Sequence, residues 1–454
     1  MVKTVKLCRG LDIRLKGRPT EQSLGAAQGK VYALTPSSFP GLTAKVVVKE
    51  GDRVSAGSFL FVDKRYPDVG FASPVSGTVK AVVRGDRRKL LAVEVEADNE
   101  IEYIDFGTKN VAELNGAEVV DCITKAGLLG FFRQLPNAIS ANNVALPRDI
   151  FVSALRDMPL ASQFEVELKG NERDFQTGLT ALSKIASTHL GIGKGQKATA
   201  LLEAKDVDVT IYDGKCPAGN VGVHVNHTAP VNKGETVWTV DPMVVVFVGR
   251  LFNTGKVDLR RKVAIAGDKA NDNGYVDTMV GIRVGDLLSG KINDDDYSAG
   301  LLRVIDGDVL TGKKATIDDY LSANSSEVTV IAEGSDKDEL IGWICPRTSQ
   351  FSSHHSYFSW LFGRKKEFSA DARIKGGRRN IIMSGEYDSV LPMDIYGEYL
   401  VKAILAEDID RMEQLGIYEV SPEDFAVAEF VDSSKLPLQQ IIRKGLDLVR
   451  KENG

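Results

Sequence analysis

Hydrophobic and polar positions change period several times along this chain of 454 residues. Between residues 41 and 96, short β-forming runs such as Val46-Val47-Val48 and Ala81-Val82-Val83 alternate with glycine turns, which predicts strands. Residues 111–135 predict a helix ending near Gln134, before Pro136. From 148 the pattern reads strand, helix, strand. Residues 150–155 form an apolar run of the buried-strand kind. Residues 174–189 set Leu179, Leu182, Ile185 and Ala186 at helical spacing, and 197–202 and 207–212 predict two more strands. Such alternation favours a parallel sheet.

Between 255 and 315 the runs 263–267, 279–283, 301–305 and 309–312 predict short strands around one helix, 284–288. Residues 326–332 and 341–345 predict a hairpin. The last third is helical. A helix from Met393 places Ile395, Tyr399, Leu400, Ala403 and Ile404 on one face, and a second stops at Gly416. Ser421-Pro422-Glu423-Asp424 reads as a helix start. A final helix, 438–451, stripes Leu438, Ile441, Ile442, Leu446 and Val449 and leaves Arg443, Lys444, Arg450 and Lys451 to solvent.

The first region carries a quasi-repeat. Gly51-Asp52-Arg53 returns as Gly85-Asp86-Arg87, with Ala72-Ser73-Pro74-Val75-Ser76-Gly77 between. Two copies of one β unit stacked face to face give a flattened sandwich of the biotinyl/lipoyl type. Carriers of that fold modify a lysine on a hairpin tip. The matching tip here holds Lys64 and Arg65, but its flanks fit neither biotin nor lipoate carriers, so a plain turn lysine competes with a swinging arm. The expected fold class is α+β / α/β multidomain. Its parts are an irregular leader (1–40), the barrel-sandwich (41–105), a Rossmann-like α/β domain (106–255), a β-grasp, SLBB-like module (256–330) and a C-terminal hairpin and helical region (331–454).

Composition narrows the function. A net charge of −5 gives no basic surplus for nucleic acid. The opening six residues lack the apolar run of a signal peptide. The apolar run 239–248 is too short to span a bilayer and contains Asp241. Cys8, Cys122, Cys216 and Cys345 are scattered, which disfavours a disulfide framework or a local iron–sulfur site. The expected compartment is cytoplasmic.

Several motifs invite chemistry. Gly191-Ile192-Gly193-Lys194-Gly195 is glycine-rich, yet it follows a predicted helix and precedes a predicted strand, the reverse of a phosphate loop. Cys216, His224 and His227 have spacing that suits zinc, or simply a turn at a sheet edge. His354-His355 lies in an aromatic stretch, 351–362, followed by Arg364-Lys365-Lys366. That suits a membrane interface, a docking face, or burial in the chain's own core. No complete catalytic constellation appears. No catalytic or metal residue is assigned, and cofactor-binding residues are left unknown.

Taken together and in order, the motifs resemble a known family. Arg9-Gly10-Leu11-Asp12 with Gly17-Arg18-Pro19, Ala72 to Gly77, the 150–161 strand and turn with Arg156-Asp157-Met158-Pro159-Leu160-Ala161, Pro217-Ala218-Gly219 with Gly222 and His224, and Glu386-Tyr387 with Leu391-Pro392-Met393-Asp394-Ile395 are similar to the NqrA subunit of the sodium-translocating NADH:quinone reductases (the Nqr complex). The resemblance implies a peripheral subunit on the cytoplasmic face of the bacterial inner membrane. Its complex passes electrons from NADH to ubiquinone or another quinone and exports Na⁺. The resemblance also implies that flavins and Fe–S centres sit in other subunits, that this chain binds no redox cofactor, and that its partners are the membrane subunits, with a ubiquinone or menaquinone as a further candidate. It implies further kinship with the RnfC subunit of the Rnf complex and with the NADH-binding subunit of complex I. The alternative function is a carrier or acyl-transfer protein using Lys64.

Overall fold

In the computed structural model the described residues are 2–335, 348, 350–353, 357–362 and 366–453. The fold is a mixed α+β assembly of several sheets with a helical C-terminal region. A seven-stranded sheet forms its middle. The strand order is Lys3–Lys6, Asp208–Asp213, Ser187–Gly193, Asp149–Ser153, Val237–Val240, Arg133–Leu135, Ile139–Ser140. The first five are parallel; Arg133–Leu135 runs antiparallel to them, and Ile139–Ser140 turns back antiparallel to it. Ile150, Phe151 and Val152 are fully covered, which is why they read as an unbroken apolar run.

The helices Glu172–Ile185 and Pro242–Thr254 cross closely over this sheet. A Cβ on Gly178 would lie 2.1 Å from the Val245 carbonyl oxygen, and one on Gly249 would lie 1.7 Å from that of Asp174. Only glycine allows the approach. Asp241 caps the second helix by accepting from the Met243 N–H at 2.8 Å, and Pro242 takes the first helical position.

The sandwich pairs a four-stranded and a three-stranded sheet over Phe39, Phe61 and Phe71, with Phe39 and Phe71 ring centroids 4.3 Å apart. Its quasi-repeat is one of sequence more than of conformation. Gly51 has φ +89° and Asp52 accepts from the Lys49 N–H, as a glycine turn requires. In the second copy Gly85 is extended, and Arg87 and Arg88 take the positive φ angles instead.

The β-grasp sheet runs Lys313–Ala315, Leu302–Asp306, Glu327–Ala332, Arg260–Ala266, Gly274–Met279, Ser23–Ala26, with the helices Val284–Leu288 and Asp294–Ser298 beside it.

Several local expectations fail. Residues 1–40 are not irregular, because Lys3–Lys6, Ser23–Ala26 and Val31–Leu34 each pair into a different sheet. The helix expected over 111–135 is broken into the α-helix Gly116–Lys125 and the short 3-10 turns Val111–Glu113 and Leu129–Phe131, and Arg133–Leu135 is a strand. The helix expected to reach His189 stops at Ile185, and Ser187–Gly193 is a strand. Its β-branched and small residues fit between two neighbouring strands better than on a helix. Residues 199–202, expected as strand, form a short helix, and 309–312 are turn. Tyr399 points to solvent at 58% exposure. Arg443 is half-buried, donating to the carbonyls of Asn137 and Ala138. Ser421 and Asp424 do form the reciprocal cap, and Gly416 takes φ +97° after its helix. The expected strand 341–345 lies outside the described residues.

Candidate functional site at the carboxyl edge of the parallel sheet

The strand Asp149–Ser153 has later strands on both flanks, Ser187–Gly193 on one side and Val237–Val240 on the other. The chain winds outward in both directions from it, so the carboxyl ends of 149–153 and 237–240 flank a crevice. Open α/β sheets bind ligands at such a switch point. A cleft of about 450 Å³ opens there, bordered also by the β-grasp sheet and the C-terminal helices. Another depression of about 460 Å³, lined by Lys109, Arg173, Gln176 and Asn253, has no carboxylate in its wall.

The loop leaving 149–153 places Arg156 in the crevice. Its guanidinium donates to Ser162 Oγ at 2.7 Å, to Glu167, and to Asp241 Oδ2 at 2.9 Å. The Phe164 ring lies beneath it, 5.7 Å away. Burial opposes its charge, but Asp241, Glu167 and Glu327 together hold its pKa above the ordinary arginine value. Arg261 is buried nearby and donates to the Ala323 carbonyl and Ser326 Oγ. Two guanidiniums thus face three carboxyls. Burial, reinforced by Asp308, pushes Glu327 up to about 7 while Arg156 pulls it down. Glu327 also accepts from the Ser162 N–H at 3.1 Å, tying the β-grasp sheet to the α/β loop.

Two more carboxyls are raised by burial, both to about 7. Asp157 accepts from the Gly219 N–H at 3.0 Å, while its Oδ1 is buried without a hydrogen-bond partner. Asp424 accepts from Ser421 and from Asn220 Nδ2. The site is therefore a buried charge network linking three units, with carboxyls poised near neutrality.

The glycine loop corrects an expectation. It follows a strand and precedes the short helix Thr199–Leu202, so its order is that of a phosphate loop and not the reverse. It is nevertheless filled from within. Glu165 Oε1 accepts from the N–H groups of Lys197 and Ala198, both at 2.7 Å, where an anion would sit. A Cβ on Gly191 would fall 2.3 Å from His224 Nδ1, and one on Gly193 2.7 Å from Leu155 Cδ1. Those two glycines are explained by packing. Lys194 pairs with Asp213 at 2.7 Å.

Cys216, His224 and His227 do not converge on a metal. Cys216 is buried with its sulfur 3.6 Å from that of Met158, and burial, with Asp157 and Asp308, pushes its thiol up. His224 stacks on Tyr212 with centroids 3.7 Å apart, and its Nε2 lies 2.9 Å from the Ala218 carbonyl, so that nitrogen carries the hydrogen. Burial lowers its pKa to about 3, so the ring is neutral. His227 Nε2 likewise donates to the Pro392 carbonyl at 2.8 Å. Among the described residues no group of three His, Cys, Asp or Glu side chains is placed to hold a metal ion.

Lys64 is exposed after the strand Phe59–Asp63, while Arg65 is held by the Gly41 carbonyl. His354, His355, Arg364 and Lys365 lie outside the described residues. Phe351 packs against Phe368 and Phe430, and Phe358 and Leu361 are 57% and 58% exposed. Glu167, Arg261, Glu327 and Asp424 were not singled out from the sequence as a site. Their only signal there was a charge set in an apolar or capping context, as with Asp241.

Comparisons with known proteins agree along the whole chain. Residues 5–98 match the NqrA N-terminal barrel-sandwich hybrid domain, 114–257 the NqrA second alpha/beta domain, and 262–316 the family described as the NQRA C-terminal domain. A relative from Neisseria meningitidis, named as the NqrA subunit of the Na(+)-translocating NADH-quinone reductase, is 32% identical over 99% of this chain and all of its own length. Relatives of the same name from Marinomonas and Haemophilus influenzae are also 32% identical, over 98% and 99% of this chain and 99% and 100% of theirs. A solved NAD⁺-reducing [NiFe]-hydrogenase overlaps 51% of this chain and 52% of its own at 12% identity, with a TM-score of 0.33, too loose a likeness to bear on function. The chain belongs to the NqrA family of Na⁺-translocating NADH-quinone reductase subunits.

Proposed function

We propose that this chain is a peripheral subunit on the cytoplasmic face of a bacterial inner-membrane complex that moves electrons from NADH to ubiquinone or another quinone and exports Na⁺. It acts as a scaffold near the quinone step and carries no redox centre itself. NADH, flavins and Fe–S centres are handled by other subunits. Among the described residues no helix is long and apolar enough to cross a membrane. In this reading the chain attaches through contacts with membrane subunits. The helical C-terminus offers such contacts. Kinship with RnfC belongs to the same proposal.

The observation that carries the reading is that both nucleotide-like positions on the sheet edge are self-occupied. Glu165 takes the N–H groups that a phosphate would need. The loop 154–163 has no glycine, where a dinucleotide fold needs glycines for close phosphate approach, and Arg156 is locked on Asp241 and Glu167. Calorimetry of the isolated chain with millimolar NADH is expected to show no binding, and its visible spectrum no chromophore. A stoichiometric flavin or iron–sulfur signal sinks the proposal. The Lys64 carrier alternative predicts a mass increase at that residue, which an intact-mass spectrum reads directly.

A further inference from the structure

We infer that the surface flanking the Ala426–Val431 helix, formed largely by residues 366–384, rests on anionic lipid headgroups. The inference deepens the peripheral-subunit reading and depends on it. The whole chain carries −5, yet residues 372–384 hold Arg373, Lys375, Arg378 and Arg379 and no acid. Arg373 and Lys375 gather on Asp371 at 2.9 and 3.4 Å. Arg378 and Arg379 are exposed, and no side-chain hydrogen bond or ion pair engages either guanidinium among the described residues. Beside them along the chain, Ile374 is 67%, Ile382 54% and Met383 38% exposed.

A second segment borders the same helix. The Phe351 ring lies 5.9 Å from Phe430, which sits on that helix and is itself part-exposed. Phe358, Leu361 and Lys366 follow, all exposed, with Glu367 offsetting Lys366. On the other side Ser434 accepts from the Arg379 N–H at 2.9 Å, and its hydroxyl donates to the Asn380 carbonyl at 3.0 Å. One segment thus packs on the short helix and the other is tied to the chain just past its end.

The chemistry of this face matches a lipid surface better than a protein groove. The centre of a protein interface is depleted of charge. Here Ile374 protrudes between Arg373 and Lys375, and Ile382 and Met383 follow Arg379 by three and four residues, which lets the apolar side chains enter the acyl boundary while the guanidiniums stay among phosphates.

Flotation of the complete chain with vesicles tests this. Binding is expected with phosphatidylglycerol/phosphatidylcholine vesicles at low salt, little with phosphatidylcholine alone, and loss at high salt. R378Q/R379Q is expected to lower partitioning about twenty-five-fold, at roughly fivefold per basic residue. I382S/M383S is expected to weaken the low-salt binding although it leaves the charge unchanged. R87Q/R88Q, which removes the same charge from an exposed hairpin, is expected to leave binding unchanged. Unfolding midpoints of all three variants should match that of the parent.

Equal binding to neutral vesicles, or an equal loss with R87Q/R88Q, overturns the inference. So does a chain that ignores vesicles yet assembles with the membrane subunits, and in that case the peripheral reading stands. A chain that does neither defeats both. If R378Q/R379Q abolishes assembly in detergent but spares vesicle binding, the face belongs to a protein partner and the lipid assignment is wrong.

Discussion

Two loops leave the same edge of the parallel sheet and look opposite in sequence. One, at the end of Ser187–Gly193, carries Gly191, Gly193 and Gly195 and presents as a phosphate cradle. The other, after Asp149–Ser153, has no glycine and carries Arg156 and Asp157. The structure reverses their apparent importance. The glycine loop is closed by Glu165 and shaped by His224 and Leu155. The charged loop lines the cleft: Arg156 clamps Glu167 and Asp241 within the α/β unit, and Ser162 ties the same loop to Glu327 of the β-grasp sheet. Glycine reports that something comes close, and in this loop that something is a side chain of the same molecule.

The sharpest way to break the comparison is Arg156→Met. It would strand Glu167, Asp241 and Glu327 in the interior, at a cost of about 3–5 kcal/mol in urea unfolding. A loss under 1 kcal/mol would mean that the network does not join the three units.

Titration of the raised carboxyls ranks next. Asp157, Glu327 and Asp424 bind protons more tightly when folded, so their contribution to stability is full below pH about 4 and is lost as pH rises toward about 7. Replacing one by its amide should flatten the fall by up to about 1.4 kcal/mol per pH unit across that window. Identical pH profiles for parent and D424N would refute the assignment of Asp424.

Gly191→Ala should cost about 1–3 kcal/mol, because its Cβ meets the His224 ring. Gly195→Ala, with open space, should fall within about 0.5 kcal/mol. Equal losses would restore a backbone role for the whole loop. Glu165→Ala should cost about 1 kcal/mol through two freed N–H groups without creating NADH affinity, whereas gained affinity would show that the cradle had only been plugged. The smallest effect is chemical. A thiol reagent should label exposed Cys8 in the native chain well before buried Cys216, and mass mapping would read the order.

Much of the fold was legible in the chain. The sandwich, the parallel strands 150–155 and 207–212, the grasp helix Val284–Leu288 and the cap at Ser421 all follow from local rules. Hydrophobic period, turn glycines and capping side chains act over a few residues, and the sequence displays them directly. The misses share one cause. Ser187–Gly193 ran on from a helical pattern, and only its neighbours at 149–153 and 208–213 make it a strand. The residues 3–6, 23–26 and 31–34 become strands because partners hundreds or tens of residues away offer free edges.

The site divides in the same way. Sequence alone determined the order of the modules, the lack of a basic surplus, and a co-linear set of motifs that points to the family. Tertiary structure decided that Arg156, Asp241, Arg261 and Glu327 meet, that Glu165 closes the glycine loop, and that His224 is a packed neutral ring. Burial and long-range pairing set those outcomes, since a charge changes its chemistry only once distant segments remove its water.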